Sequence, residues 1–255
     1  MERANFSGRV ALITGAGRGL GRAIAEAFAE RGASVACQDT TPINLDETMA
    51  RILSKGGRAR DYIFDLAKKM PVQAMIEQVI ADWGSLDILV NNLRVKPRIP
   101  VLKMDEWDWH RTIDTNLGGP FFTMQSAGRV MQDLGGGVII NIAALSGSEA
   151  AETEFAAYHA SMGGLIELTR QAARELEVHR VRVNAIASRF IDEEARTDFG
   201  TPAMQGRKSH GQLKHRQKIV EAVLFLCGPE GTSFSGRVIE VENGQEGRGQ
   251  PFFKL

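Results

Sequence analysis

Two cysteines in 255 residues, Cys37 and Cys227, are too few for a disulfide framework or a cysteine-ligated metal site. They read as buried free thiols in a reducing cytoplasm. Neither sign of charge is in excess: 31 Lys and Arg balance 31 Asp and Glu. That removes the electrostatic footprint expected of a nucleic-acid binder or of a protein that rides an anionic membrane. Long apolar runs are missing too. No stretch approaches the ~20 residues of a spanning helix, and residues 1–6 lack an apolar signal core. The expectation is a soluble cytoplasmic protein with no membrane, nucleic-acid or metal partner.

What the chain does have is regular alternation. Short apolar runs at residues 10–13, 34–37, 62–64, 86–90, 138–142, 181–186 and 238–241 read as strands buried on both faces. Between them lie helical periods at 20–31, 42–53, 71–83, 105–116, 121–134, 154–178 and 217–227. Asp105 is placed to cap the fourth helix, and Gly118-Gly119-Pro120 predicts a break before the fifth. The pattern predicts an α/β fold: a single Rossmann-like doubly wound parallel sheet with helices on both faces. One domain over 1–255 is expected, with a substrate loop at about 188–216 and a C-terminal tail at 245–255.

Between the first strand and first helix stands Thr14-Gly15-Ala16-Gly17-Arg18-Gly19-Leu20-Gly21. Glycines in that position permit a tight turn and let helix N-terminal amides face a pyrophosphate. Gly15, Arg18, Gly19, Leu20 and Gly21 are therefore candidate cofactor-binding residues. Asp39 ends the second strand, where a carboxylate can accept from both ribose hydroxyls and would repel a 2′-phosphate. With Gln38 and Thr40 beside it, NAD is expected over NADP. Asp65 and Leu66, after the third strand, are candidates for the adenine edge, and Asn91 closes the fourth strand.

These residues, with Asn91-Asn92, Asn116 and Tyr158, resemble the short-chain dehydrogenase/reductase family in its common 250-residue form, over nearly the whole chain. The resemblance implies a Tyr that moves the hydroxyl proton, a Lys that lowers its pKa and holds the nicotinamide ribose, a Ser that orients substrate and an Asn in a water relay. Tyr158 and Asn116 match two of the four roles. Met162 stands at the Lys position, and no Lys occurs from 154 to 178. Ala144 stands at the Ser position, with Ser146 and Ser148 nearby.

Further departures cluster at the nicotinamide end. The family's Asn-Asn-Ala-Gly is Asn91-Asn92-Leu93-Arg94, its Pro-Gly is Ser188-Arg189, and a pyrophosphate-binding Thr aligns with Glu193. Losing an acid-base group commonly costs about 10²–10⁴ in rate. The first expectation is accordingly a catalytically impaired subunit, pseudoenzyme-like, in a dimer or tetramer. It would support an active NAD-dependent relative, plausibly as a heterotetramer, acting on a hydroxyacyl or oxoacyl thioester or another secondary alcohol. A second is an NAD-dependent oxidoreductase using Tyr158 with Arg94 or Arg189 as the positive field. A third is a nucleotide-binding regulatory module.

Overall fold

The computed structural model describes residues 4–145, 153–188 and 210–241. Seven strands form one parallel sheet in the order β3-β2-β1-β4-β5-β6-β7. They are β1 Val10–Thr14, β2 Ser34–Asp39, β3 Arg58–Ile63, β4 Ile88–Asn91, β5 Gly137–Ala144, β6 Val181–Ser188 and β7 Val238–Val241. The helices are α1 Gly19–Ala29, α2 Pro42–Ser54, α3 Lys69–Trp83, α4 Glu106–Ile113, α5 Gly119–Asp133, α6 Ala156–Leu176 and α7 His210–Cys227. The order reverses at β1, which pairs with β2 on one side and β4 on the other. In sheets of this kind a ligand crevice opens outside the carboxyl ends of the strands at that reversal.

Alternation along the strands splits the core into two layers. Ala11 and Ile13 face one side with Ile24 and Phe28 of α1, Leu45 and Ile52 of α2, and Ile219 and Val223 of α7. Val10 and Leu12 face the other with Val72 and Val79 of α3 and Met124 and Met131 of α5. Cys37 and Cys227 lie buried, and burial pushes both thiols up to about 12, which keeps them protonated.

Three boundaries depart from the sequence expectation. The expected break at Gly118-Gly119-Pro120 does not occur, because Gly118 and Gly119 keep helical dihedrals. The chain instead passes from α4 to α5 through a π turn, Asp114–Gly118, in which the Gly119 amide donates to the Asp114 carbonyl. A wide turn tolerates Pro120, whose missing N–H falls near the first turn of α5. Strand β3 starts at Arg58, four residues before the expected 62, since an edge strand with mostly exposed side chains carries no apolar run. Helix α7 starts at His210, inside the segment read as a loop. Its polar opening hid the periodicity, although His215 is buried against Ser188, Nε2 to Oγ 2.7 Å. Asp105 caps α4 as expected, accepting from the Asp108 amide at 2.7 Å.

A polar relay crosses the sheet behind the crevice. The Thr123 hydroxyl donates to Asn91 Oδ1 at 2.7 Å, Asn91 Nδ2 to Asn141 Oδ1 at 2.9 Å, and Asn141 Nδ2 to Thr169 Oγ1 at 2.9 Å. All four residues are buried, and the relay pins α5, β4, β5 and α6 to one register. Truncating its centre strands buried donors and acceptors at about 1–3 kcal/mol per group. Asn141→Ala is expected to lower the urea midpoint by an amount in that range with an unchanged denaturant slope, whereas an Asn at the exposed position 171, Gln171→Asn, leaves the midpoint within error.

Candidate functional site

The β1–α1 turn is built by the glycines and held from behind by side chains that carry no motif. Gly15 has φ of 65° and Gly19 of 55°, both in the left-handed region. A Cβ on Gly21 would lie 2.0 Å from the Gly15 carbonyl oxygen, and one on Gly17 would lie 2.5 Å from Asp39 Oδ2. The turn therefore closes only with hydrogen at these positions. Gln38 Oε1 accepts from the Gly15 amide at 3.2 Å, Thr48 Oγ1 donates to the Ala16 carbonyl at 2.9 Å, and Arg22 Nε donates to the Gly17 carbonyl at 3.1 Å. With the turn's carbonyls so occupied, the N-terminus of α1 faces outward. Arg18, in extended backbone at its N-cap, supplies no side-chain cap. The first amides of α1 thus keep their donors for an anion.

Asp39 sits beside that turn, nearly buried. Its Oδ2 accepts from the Gly17 amide at 3.2 Å and its Oδ1 from the Thr40 amide at 2.7 Å. Two amide donors orient the carboxylate toward the crevice end of β2. Leu20 is buried in the core layer under the turn. Asp65 is exposed, accepting from the Ala67 amide at 3.1 Å, and Leu66 is buried against α3. Glycine cradle, free helix terminus and oriented carboxylate together fit the adenosine and pyrophosphate of a dinucleotide.

At the other end of the crevice the expected site residues come together in an apolar setting. Tyr158, Met162 and Ala144 are 3%, 1% and 8% exposed and share one cluster with Ala143, Leu165 and Ala187. Position 162 does lie on the face of Tyr158, one helical turn on, but it delivers a thioether. Asn116, in the π turn, is fully engaged: Oδ1 accepts from the Val95 amide at 2.8 Å, and Nδ2 donates to the Val95 carbonyl at 2.9 Å and Ser161 Oγ at 3.0 Å. Asn91 is turned into the relay behind the sheet, so its amide holds the scaffold rather than facing the crevice. His159 packs as an aromatic, its ring 5.4 Å from that of Tyr158 and 6.5 Å from that of Phe155. Ser146, Ser148, Arg189, Glu193 and the tail at 245–255 lie outside the described residues.

The segment after β4 supplies what sequence reasoning only half found. Asn92 Nδ2 donates to the Thr14 carbonyl at 3.0 Å and the Gly15 carbonyl at 3.3 Å, while Thr14 Oγ1 accepts from the Asn92 and Leu93 amides at 2.9 and 3.0 Å. Leu93 is thereby pressed onto the glycine turn, its Cα 3.0 Å from where a Gly15 Cβ would be. Arg94 Nη1 donates to the Asn92 carbonyl and to Asn92 Oδ1, both at 3.2 Å. Burial pushes Arg94 below the ordinary arginine range, while the charge and hydrogen bond of Tyr158 act in the opposite direction. Lys96 Nζ lies over the Phe155 and Tyr158 rings, 4.5 and 5.4 Å from their centroids. The bracing roles of Gln38, Thr48, Arg22 and Thr14 had no sequence signal, because they are set by partners 5 to 78 positions away.

Known proteins bear the same plan. A family model described as enoyl-(acyl carrier protein) reductase matches residues 15–246. The 3-oxoacyl-[acyl-carrier-protein] reductase FabG of Thermotoga maritima is 30% identical over 244 residues, 94% of this chain and 98% of the relative. The D-threitol dehydrogenase of Mycolicibacterium smegmatis is 31% identical over 247 residues, covering 94% and 93% of the two chains. Among solved structures, a short chain dehydrogenase from Mycobacterium smegmatis superposes with a TM-score of 0.79 at 27% identity, covering 93% of each chain. The citronellol catabolism dehydrogenase AtuB of Pseudomonas aeruginosa gives 0.79 at 26% identity over 95% and 97%. Sheet order, glycine turn, the buried tyrosine on α6 and these matches agree, and the chain belongs to the short-chain dehydrogenase/reductase family of nicotinamide-dependent oxidoreductases.

Proposed function

We propose that this chain is a short-chain dehydrogenase/reductase subunit that binds NAD in preference to NADP, transfers little hydride alone and works beside an active subunit of the same family. The observation that carries the reading is the apolar shell of Tyr158: Ala144 and Met162 are both buried against it. When bound, the nicotinamide supplies or accepts the hydride. The chain's own part would be binding. The turn at Gly15, Arg18, Gly19, Leu20 and Gly21 holds the pyrophosphate, and Asp39 accepts from the adenosine ribose and repels a 2′-phosphate. At the other end, Ala144 has no hydroxyl to orient a substrate oxygen and Met162 has no ammonium to hold the nicotinamide ribose. Each missing group accounts for about 10²–10⁴ in rate.

Exposed apolar side chains support association. Val101, Leu102, Trp107, Trp109 and Phe121 are all exposed on α4, α5 and the short turn before them. Large apolar side chains left exposed on helices that form dimer contacts in the family favour a partner. Gly163, on α6, is exposed with open space around it, whereas Gly164 packs inside the subunit against Leu117. The substrate of the active subunit would be a 3-oxoacyl thioester, a hydroxyacyl thioester or another secondary alcohol. The first comes from relatives that are 3-oxoacyl-[acyl-carrier-protein] reductases, and the last from one that is a D-threitol dehydrogenase.

Two measurements test the reading. In fluorescence titrations of the isolated chain, NADH is expected to bind at least tenfold more tightly than NADPH, and Gly21→Ala to abolish binding of both; equal or tighter NADPH binding removes the role given to Asp39. Co-purification with a short-chain dehydrogenase encoded beside this chain is expected to give a stable mixed complex whose turnover survives Tyr158→Phe in this subunit. Robust turnover by the isolated chain would falsify the supporting-subunit assignment.

A further inference from the structure

We propose that Glu47, on the outer helix α2, is a positioning residue for the β1–α1 turn: acting through Arg22, it fixes the direction in which that turn presents its amides to a dinucleotide. The inference deepens the binding role given to the turn and rests on it for the ligand, but not for the geometry.

Three observations carry it. The first is a ladder of charges between two helices. Positions 22, 26 and 30 follow one another at i+4 along α1 and its end, as do positions 47, 51 and 55 along α2, so each set lies on one face. The two faces meet rung by rung: Arg22 Nη1 to Glu47 Oε2 at 2.7 Å, Arg51 Nη1 to Glu26 Oε1 at 3.6 Å, and Lys55 Nζ to Glu30 Oε1 at 2.7 Å. On the last two rungs α1 supplies the acid and α2 the base. The first rung is reversed.

The second observation explains the reversal. Arg22 stands in the first turn of α1, where a cation opposes the helix dipole, and no acidic residue accompanies it there. Helix electrostatics therefore do not account for an arginine at this position, but its contacts do. Nε and Nη2 both donate to the Gly17 carbonyl, and Nε also reaches Thr48 Oγ1 at 3.0 Å, a hydroxyl that itself donates to the Ala16 carbonyl. Across a trans peptide the carbonyl and the following amide point in opposite directions. A Gly17 carbonyl pinned toward α2 thus aims the Arg18 amide the other way, toward the crevice. Arg22 also places a positive charge directly behind the turn.

The third is how Glu47 is held. Its Oε1 accepts from Arg51 Nε at 3.0 Å, one helical turn on, which leaves Oε2 for Arg22. The carboxylate is exposed while the guanidinium it meets is only 16% exposed, so the acid is the outer end of a chain whose inner end is the turn. Glu47 touches no group of the turn itself. Its effect on the amides runs through one side chain, and that makes the assignment testable by a double variant.

The first measurement needs no cofactor. The amides of Gly15, Ala16 and Gly17 are bonded to Gln38 Oε1, the Gln38 carbonyl and Asp39 Oδ2, and their hydrogen exchange reports how firmly the turn is set. In the full-length chain Glu47→Gln, which removes charge and keeps shape, is expected to speed exchange at these amides about threefold. Arg22→Gln is expected to speed it about tenfold or more. Exchange across the β5–β6 pair stays at the wild-type rate in both, which separates a set turn from a general loss of stability. Glu47→Gln added to Arg22→Gln gives no further change, and Glu47→Asp recovers part of the protection. In the second measurement the NADH dissociation constant rises in the same order, whereas Lys55→Gln, on the third rung, leaves both readouts at wild type.

An exchange rate in Glu47→Gln equal to wild type overturns the assignment, as do effects of the two variants that multiply in the double variant, or bound NADH whose affinity does not follow the exchange. Should Arg22→Gln fail to fold, Glu47→Gln and Glu47→Asp decide alone. A chain that shows the exchange pattern and takes up no NADH removes the dinucleotide reading and leaves the role of Glu47 in the turn standing. Unchanged exchange beside ordinary NADH binding does the reverse.

Discussion

The clasp between Thr14 and Asn92 is the contact on which both ends of the crevice depend. Thr14 ends β1 and Asn92 follows β4, the two strands that part at the reversal of the sheet. Two hydrogen bonds between them, with a third from Asn92 to the Gly15 carbonyl and a fourth from the Leu93 amide to Thr14, fix the height of the glycine turn relative to the loop that carries Leu93 and Arg94. On one side of the clasp the α1 amides and Asp39 face outward. On the other, the Asn92 carbonyl and Oδ1 form the seat of the Arg94 guanidinium. One pair of residues thus sets the position of the glycine turn and of the Arg94 guanidinium. Because Thr14 and Asn92 are both buried, the bonds between them are shielded from exchange with water.

The two halves differ in how they use polar groups. At the adenosine half, protein carbonyls are occupied and amides are left for a ligand. At the other half, several polar groups are engaged by protein: Asn91 by Asn141 and Thr123, Asn116 by Val95 and Ser161, Arg94 by Asn92. Around them the surface is methyl and thioether. Amides and a carboxylate line one end of the crevice and methyl and thioether groups the other, and the same sheet supports both without any change in topology.

Much of this was legible in the sequence where a single element carried the signal. The runs at β1, β2, β4, β5 and β6 are apolar because both faces of those strands are covered, and the glycine turn declared itself by falling between β1 and α1. Position 162 could be set beside Tyr158 from helical spacing alone. What stayed hidden was relational. Strand β3 has a charged, exposed face and no apolar run; α7 opens on a polar stretch in which His215 is buried beside Ser188 of β6. The glycines at 118 and 119 read as a break because the wide hydrogen bond that keeps them helical has no residue signal. The bracing of Arg94 by Asn92 also had no sequence signal, because it depends on how Asn92 is itself held by Thr14 and Gly15.

The π turn at Asp114–Gly118 has a consequence for how this fold tolerates change in length. It stores one residue more than an α-helix would need to cover the same rise. Everything after it, including Thr123 on its way to Asn91, is phased by that surplus. Removal of one residue from this turn would let α4 and α5 merge into a continuous helix and rotate the downstream face by about 100°, carrying Thr123 off the buried relay and Phe121 off the exposed face. The segment is therefore a phase shifter between two helical faces, one answering to the interior of the subunit and the other to whatever stands against it.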